Sequence, residues 1–356
     1  MKSEDLSTSL QEQVRTAIEN QTPLAIEGGG SKSFYGYPPS AELGRLDVSS
    51  HRGVIDYEPA ELVLRARAGT RLSEINRVLG DNNQLLPFEP PDFDGNATIG
   101  GVIASGLSGP RRPYAGSARD FVLGVTLITG DGAILEFGGQ VMKNVAGYDV
   151  SRLLTGSMGT LGVILDVSLK VLPAPEVEVT RSVAVSRQEF QARLQSMQRS
   201  MPLSAAAFQD DCLRVRLSGS EVAVSTAAQN MGGEEADNAY WEKLNTLECF
   251  AGVKNLWRVS VAPASQLFLG GADDGAAVID WGGGIRWLAD PEFNPRKKLA
   301  AEDGHATLMK YDQDSLSSGI EIFQLLPEPL LSIHKKLKQQ FDPAGIFNPG
   351  RMYRDI

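Results

Sequence analysis

The chain has 356 residues, enough for two domains, and its 42% hydrophobic and 22% charged content is that of an ordinary globular protein. A formal net charge of −10 argues against a nucleic-acid partner, which calls for a basic patch or stripe. The two isolated cysteines, Cys212 and Cys249, cannot hold an iron–sulfur cluster, which takes about four thiolates, and they fit a reducing, cytoplasmic setting.

The acidic start of the chain lacks the apolar core of a signal peptide. No run reaches the ~20 apolar residues of a bilayer span, so no direct membrane span is expected. Leu10, Val14, Ala17 and Ile18 recur at helical spacing across residues 9–20. Residues 23–26 then read as a short buried strand entering Gly28-Gly29-Gly30-Ser31-Lys32-Ser33. Consecutive glycines admit positive φ and let a ligand approach backbone N–H groups. Two hydroxyls and a cation beside them are the chemistry of a phosphate cradle.

Strand-like runs follow at 54–57 and 62–66, then a helix with Thr70 near its N-cap and Leu72, Ile75, Val78 and Leu79 on one face. Residues 87–97 are a breaker-rich loop. A second glycine site, Ala97-Thr98-Ile99-Gly100-Gly101, continues to Ser105, Gly106 and Gly109. Strands at 121–128 and 133–137 are joined by Thr129-Gly130-Asp131-Gly132, a hairpin signal. A third glycine turn, Gly156-Ser157-Met158-Gly159, leads into a strand at 162–171, and Pro173 and Pro175 mark a domain boundary. Beyond it, strand-like pieces at 181–185, 213–217, 257–261 and 277–281 alternate with helices near 188–200, 220–231 and 237–247, which fits a small antiparallel sheet backed by helices. A final helix covers 330–340; its Lys335-Lys336-Leu337-Lys338 run reads as a solvated face.

Two common nucleotide loops fail letter by letter. A dinucleotide fingerprint from Gly28 would need glycine where Ser33 stands, and a P-loop would need glycine where Ser31 precedes Lys32. The later Gly282-Gly283-Gly284-Ile285-Arg286-Trp287 fails at Trp287.

The order Gly28-Gly29-Gly30-Ser31, Thr98-Ile99-Gly100-Gly101, Tyr114-Ala115-Gly116-Ser117-Ala118-Arg119-Asp120, Asn144-Val145-Ala146-Gly147-Tyr148-Asp149 and residues 156–164 resembles the FAD-binding domain of the vanillyl-alcohol oxidase/PCMH superfamily. Within it, the chain is similar to the smaller, FAD-binding subunits of bacterial glycolate oxidases. The likeness covers 20–175 densely and resumes at 280–288 and at the closing segment 341–352, which contains Asp342-Pro343-Ala344-Gly345-Ile346-Phe347-Asn348-Pro349-Gly350. It implies an α+β fold: a two-subdomain PCMH-type FAD-binding domain over 1–175, a smaller antiparallel-sheet-plus-helices cap over 176–328, and a C-terminal segment, 329–356, returning to the FAD domain.

Carried over residue by residue, the resemblance implies that Gly28, Gly29, Gly30, Ser31, Lys32 and Ser33 hold the FAD pyrophosphate, chiefly through backbone amides. Thr98, Gly100 and Gly101 would contact it and the ribityl chain from the opposite side, and Ser105 and Gly109 would approach the flavin ring. Gly162, Val163 and Ile164 would add backbone contacts, and Gly36 and Pro91 complete the expected set. Many superfamily members attach FAD through a histidine in the first glycine loop. Here that loop has none, and His51, His305 and His334 lie elsewhere, so FAD is expected to be dissociable.

The histidine-rich metal and substrate motif of related 2-hydroxy-acid dehydrogenases is absent too. His305 and His334 are too isolated for a zinc site of three or four ligands, and no metal is expected. Arg286 is the one candidate for a carboxylate fork, although a structural salt bridge is the commoner role for such a residue. Tyr148 and Asp149 are read as shaping the segment behind the flavin, and no catalytic base is assigned. The resemblance implies a subunit of a glycolate oxidase complex that converts glycolate to glyoxylate. A larger flavin subunit and an iron–sulfur subunit would be its partners and a small hydroxy acid the substrate, in the cytoplasm or peripherally at the inner membrane through those partners. Two alternatives stay open: a stand-alone FAD-dependent alcohol or 2-hydroxy-acid oxidase, and a scaffold that no longer binds flavin.

Overall fold

The computed structural model describes residues 4–139, 149–269, 276–299, 304–312, 315 and 319–356. It divides into two compact units: Met1–Ser108 with Ser117–Ala174 and Leu325–Ile356, and Gly109–Gly116 with Pro175–Gln324.

The first unit opens on the helix Ser7–Glu19, whose Leu10, Val14 and Ala17 are buried at i, i+4 and i+7. Strand β1 (Leu24–Glu27) pairs in parallel with β2 (Gly44–Asp47). Next come β3 (Val54–Glu58), β4 (Val63–Arg67), the helix Leu72–Gly80, β5 (Gln84–Leu85) and the helix Ile99–Ser105. Strands β6 (Val122–Ile128), β7 (Ile134–Gly138), β8 (Val163–Lys170) and β9 (Leu172–Pro173) follow. An antiparallel sheet runs in the order β3-β4-β8-β6-β7, and β5 pairs with β9.

The expected hairpin forms between β6 and β7, with Ile128 opposite Ile134 and Gly132 at φ 76°. Thr70 stands beside the N-cap of the following helix, Arg71, as expected, without capping it. Its hydroxyl instead donates to the Arg67 carbonyl at 2.6 Å and accepts from the Gly53 N–H at 2.9 Å, tying down the turn after β4.

The C-terminal segment completes this unit's core. Ile346 and Phe347 pack with Leu10, Val14, Leu24, Leu46, Ile128 and Val163, and Leu24 donates its N–H to the Ile346 carbonyl at 2.7 Å. On the helix Glu328–Phe341, Lys335 and Lys336 are exposed as expected. Lys338 is not: its ammonium is drawn in to Asp342 at 2.7 Å and to the Thr160 and Phe347 carbonyls. The lysine run is thus solvated at one end and structural at the other.

The second unit is built on one antiparallel sheet, larger than the sequence suggests. Its strands are β10 (Val177–Ala184), β11 (Leu203–Gln209), β12 (Cys212–Gly219), β13 (Glu234–Ala236), β14 (Leu256–Ser260), β15 (Val278–Asp280), β16 (Ile285–Ala289) and β17 (His305–Lys310). They run in the order β13-β10-β12-β11-β15-β16-β14-β17. Side-chain alternation gives the sheet two unlike faces. One presents Phe208, Leu213, Val215, Leu217, Val259, Ile279 and Leu308 to the helices Phe190–Gln198 and Glu221–Met231. The other carries Glu178, Thr180, Arg214, Arg216, Ser218, Arg258, Asp280 and His305, by cross-strand register. Glu178 accepts from Ser218 at 2.9 Å and pairs with Arg111 at 2.5 Å and Arg216 at 3.4 Å, and these cations hold its carboxyl below the usual range.

Candidate functional site: a glycine-walled cavity in the first unit

Strand β1 delivers the chain into Gly28-Gly29-Gly30, and the reason for glycine differs at each position. A Cβ on Gly28 would lie 2.4 Å from Thr98 Oγ1, and one on Gly29 only 1.6 Å from the Asn96 carbonyl oxygen. Those two glycines therefore let the turn before the helix Ile99–Ser105 press against the loop. Gly30 has open space around it but sits at φ 70°, the left-handed region that favours glycine. The loop then closes with Ser33 donating to the Gly30 carbonyl and Tyr35 to that of Lys32, both at 3.1 Å.

Among the described residues, the backbone N–H groups from Gly28 to Lys32 donate no hydrogen bond. They border a cavity of about 140 Å³ whose lining includes Gly28, Gly29, Gly30, Ser31, Lys32, Ser33, Thr98, Gly101, Ala104, Ser105, Met158, Asn348 and Arg351. Thr98 Oγ1 is buried without a partner, an orphaned polar atom at the cavity wall. Lys32 approaches Ser31 Oγ at 3.3 Å, and burial pushes its ammonium pKa down to about 8, partly opposed by the Asp92 carboxylate. A cation held short of neutralisation beside free N–H donors is an anion-receptive wall.

The other residues named from the sequence lie outside the cavity lining, and several have evident packing roles. Gly100 is buried in its helix, where a Cβ would come within 2.6 Å of Ala68 Cβ. Gly36, at φ 89°, is hemmed by Met158 and the Arg351 carbonyl. Pro91 is buried in its loop, and Gly109 belongs to the second unit. Gly162 lets β8 start against the Ile128 carbonyl, and Val163 and Ile164 are core residues. Residues 144–148, Tyr148 included, lie outside the described residues. Asp149 caps a short helical turn by accepting from the Arg152 N–H at 3.1 Å.

Two C-terminal residues were missed at the cavity, although the sequence reading singled out their segment. Asn348 accepts from the Ile26 N–H and donates to the Met158 carbonyl, both at 2.7 Å. Arg351 donates to the carbonyls of Tyr37, Lys32 (3.3 Å) and Ser33 (3.1 Å), gripping the glycine loop by its acceptors and leaving its N–H groups to the cavity. Gly159 belongs to the same device, since a Cβ there would meet Asn348 Nδ2 at 2.6 Å.

His305 begins β17 and His334 lies on the C-terminal helix. Burial and the charges of Arg258 and Arg112 hold the His305 pKa below the usual imidazole range. Arg286, the candidate carboxylate fork, lies on the helix-covered face of the second unit's sheet with no exposed surface.

Comparison with known proteins agrees with this geometry. Residues 7–138 match the sequence profile of the family described as FAD binding domain. Over 360 residues the chain is 44% identical to the glycolate oxidase subunit GlcE of Escherichia coli (strain K12), a match spanning 99% of both proteins. It is 30% identical over 163 residues to the glycolate oxidase subunit GlcD of Bacillus subtilis (strain 168), covering 46% of this chain and 34% of that protein. A solved structure of alkyldihydroxyacetonephosphate synthase superposes with a TM-score of 0.65 over 96% of this chain and 75% of its own, at 14% identity, a likeness of fold.

Proposed function

The chain belongs to the family of glycolate oxidase subunit GlcE, FAD-dependent oxidoreductases, and from that premise we propose that it is the smaller flavin subunit of a complex oxidising glycolate to glyoxylate. The observation that carries this reading is the cavity against Gly28–Lys32, whose unused N–H donors, partly desolvated Lys32 and orphaned Thr98 hydroxyl fit a pyrophosphate. Bound there, FAD supplies a two-electron acceptor for a CH–OH group.

The chain's own residues do the positioning. Backbone N–H groups from Gly28 to Lys32 meet phosphate oxygens, Lys32 balances their charge, and Thr98 donates its hydroxyl proton. Gly101 and Ser105 border the same space, and Arg351 keeps the loop open from behind. No histidine stands in the loop, so the cofactor is held without a covalent bond. In this reading residues 1–175 and 329–356 form the FAD-binding domain and 176–328 the cap. The partners are a larger flavin subunit and an iron–sulfur subunit that takes the electrons onward. Among the described residues no helix is long and apolar enough to cross a membrane.

Affinity purification of the tagged chain from its native cell tests the assignment. The reading expects partners to co-purify with both flavin and iron–sulfur absorbance, and glycolate to bleach the flavin in the complex. Turnover of glycolate by the chain alone with a dye acceptor would replace it with a stand-alone oxidase. A colourless chain that FAD cannot reconstitute would leave only a scaffold.

A further inference from the structure

The helix-covered face of the second unit's sheet holds two guanidinium groups with no carboxylate partner among the described residues. Arg286 has no exposed surface at all. It donates through Nη1 to the Gly283 carbonyl and through Nη2 to that of Ser265 at 3.2 Å, while its buried Nε has no partner. Arg187, half-buried, donates through Nη2 to the Ala276 carbonyl at 3.1 Å, and its buried Nη1 is likewise unpartnered.

Register brings the two together. Phe208 pairs with Ile279 and Ile279 with Arg286, so these residues stand side by side on adjacent strands. The Arg187 guanidinium lies 5.5 Å from the Phe208 ring centroid, over the same face. Strand spacing puts the Phe208 and Arg286 backbones roughly 10 Å apart, with the Arg187 guanidinium over Phe208 at one end of that span. The repulsion is felt, since burial and the neighbouring Arg187 charge push the Arg286 pKa down to about 10.

Buried cations are ordinarily paired, because a desolvated charge without a counter-charge is costly. One buried and one half-buried guanidinium, each with an unused buried N–H, describe half of an ion-binding site. We propose that Arg187 and Arg286 form a binding site for a small oxyanion, one oxygen taken by Arg286 Nε and another by Arg187 Nη1. Arg187, partly exposed, is the entrance and Arg286 the floor. The chemistry required is that of phosphate or a short carboxylate: compact, with at least two acceptor oxygens. The site is separate from the glycine-walled cavity and does not depend on the function proposed for it.

The test uses the full chain saturated with FAD, so that the glycine cavity is not open to phosphate. Thermal unfolding is compared in 20 mM sodium phosphate and in sodium chloride of equal ionic strength. A site with millimolar affinity raises the wild-type Tm by several degrees in phosphate over chloride. Arg187→Gln, at the half-exposed entrance, should lose that rise while keeping its Tm in chloride and its flavin spectrum. An equal rise in Arg187→Gln would overturn the assignment. So would a wild-type Tm indifferent to phosphate.

Discussion

Lys32 is a titratable group in the cavity wall. Its pKa, pushed down to about 8 from 10.5 by burial, means that between those values the unfolded chain binds more protons than the FAD-free fold. Stability of the FAD-free protein should therefore rise with pH across that window, through this group alone. FAD binding runs the other way, because the pyrophosphate favours the charged ammonium. The affinity should be full below pH 8 and fall as pH rises past it, and Lys32→Met should bind more weakly with a flat profile. Quenching of FAD fluorescence across pH 6–10 reads both effects, and an unchanged slope in Lys32→Met would remove Lys32 from the site.

Thr98 offers a complementary test, because its buried hydroxyl is unpartnered in the structure. Thr98→Val should leave the Tm of the FAD-free protein unchanged or slightly higher, and weaken FAD by about 1 kcal/mol, roughly fivefold. A loss of stability without FAD would show that the hydroxyl has a structural partner. The triplet Gly28-Gly29-Gly30 was legible as a site, but its reason was only half legible. Two of the glycines make room for Asn96 and Thr98 rather than for a ligand, and which backbone will crowd which is not written in a local motif.

At the scale of elements, the C-terminal segment behaves as a clasp. Asp342 accepts from the N–H groups of Ile346 and Phe347 and from Lys338, and Asn348 bridges β1 to the turn at Met158. Asn348→Ala would leave the Ile26 N–H and the Met158 carbonyl unpaired and should lower stability by about 2–4 kcal/mol. Urea unfolding measures it, and a change below about 0.5 kcal/mol would mean the segment does not fasten β1. The β6–β7 hairpin was readable because Asp131-Gly132 fixes a turn between two apolar runs. Strand β11 was not: Ser204-Ala205-Ala206-Ala207 has no strand propensity, and it is a strand because small side chains fit the middle of a buried sheet. The start of β17 at His305 was readable, whereas β16 was not, its register being set by β14, a partner distant in sequence.

The whole molecule follows from the sequence in its divisions more than in its sizes. The α+β class and the FAD-binding fold were legible from ordered glycine motifs, and the broad antiparallel sheet was legible only as alternation. Long-range contacts decide how many strands such a sheet gathers, which is why four pieces and a strand start at His305 were expected where eight strands pair among the described residues. Function scales in the same way, with the cofactor written in the loops and the substrate and partners carried by the family.

The measurement that bears most directly on this account is acid precipitation of the chain after reconstitution with FAD, with flavin absorbance read in both fractions. A dissociable cofactor in the Gly28–Lys32 cavity predicts that the protein first turns yellow and that the flavin then remains in the supernatant. Flavin retained in the pellet, or a chain that never binds FAD, would contradict it.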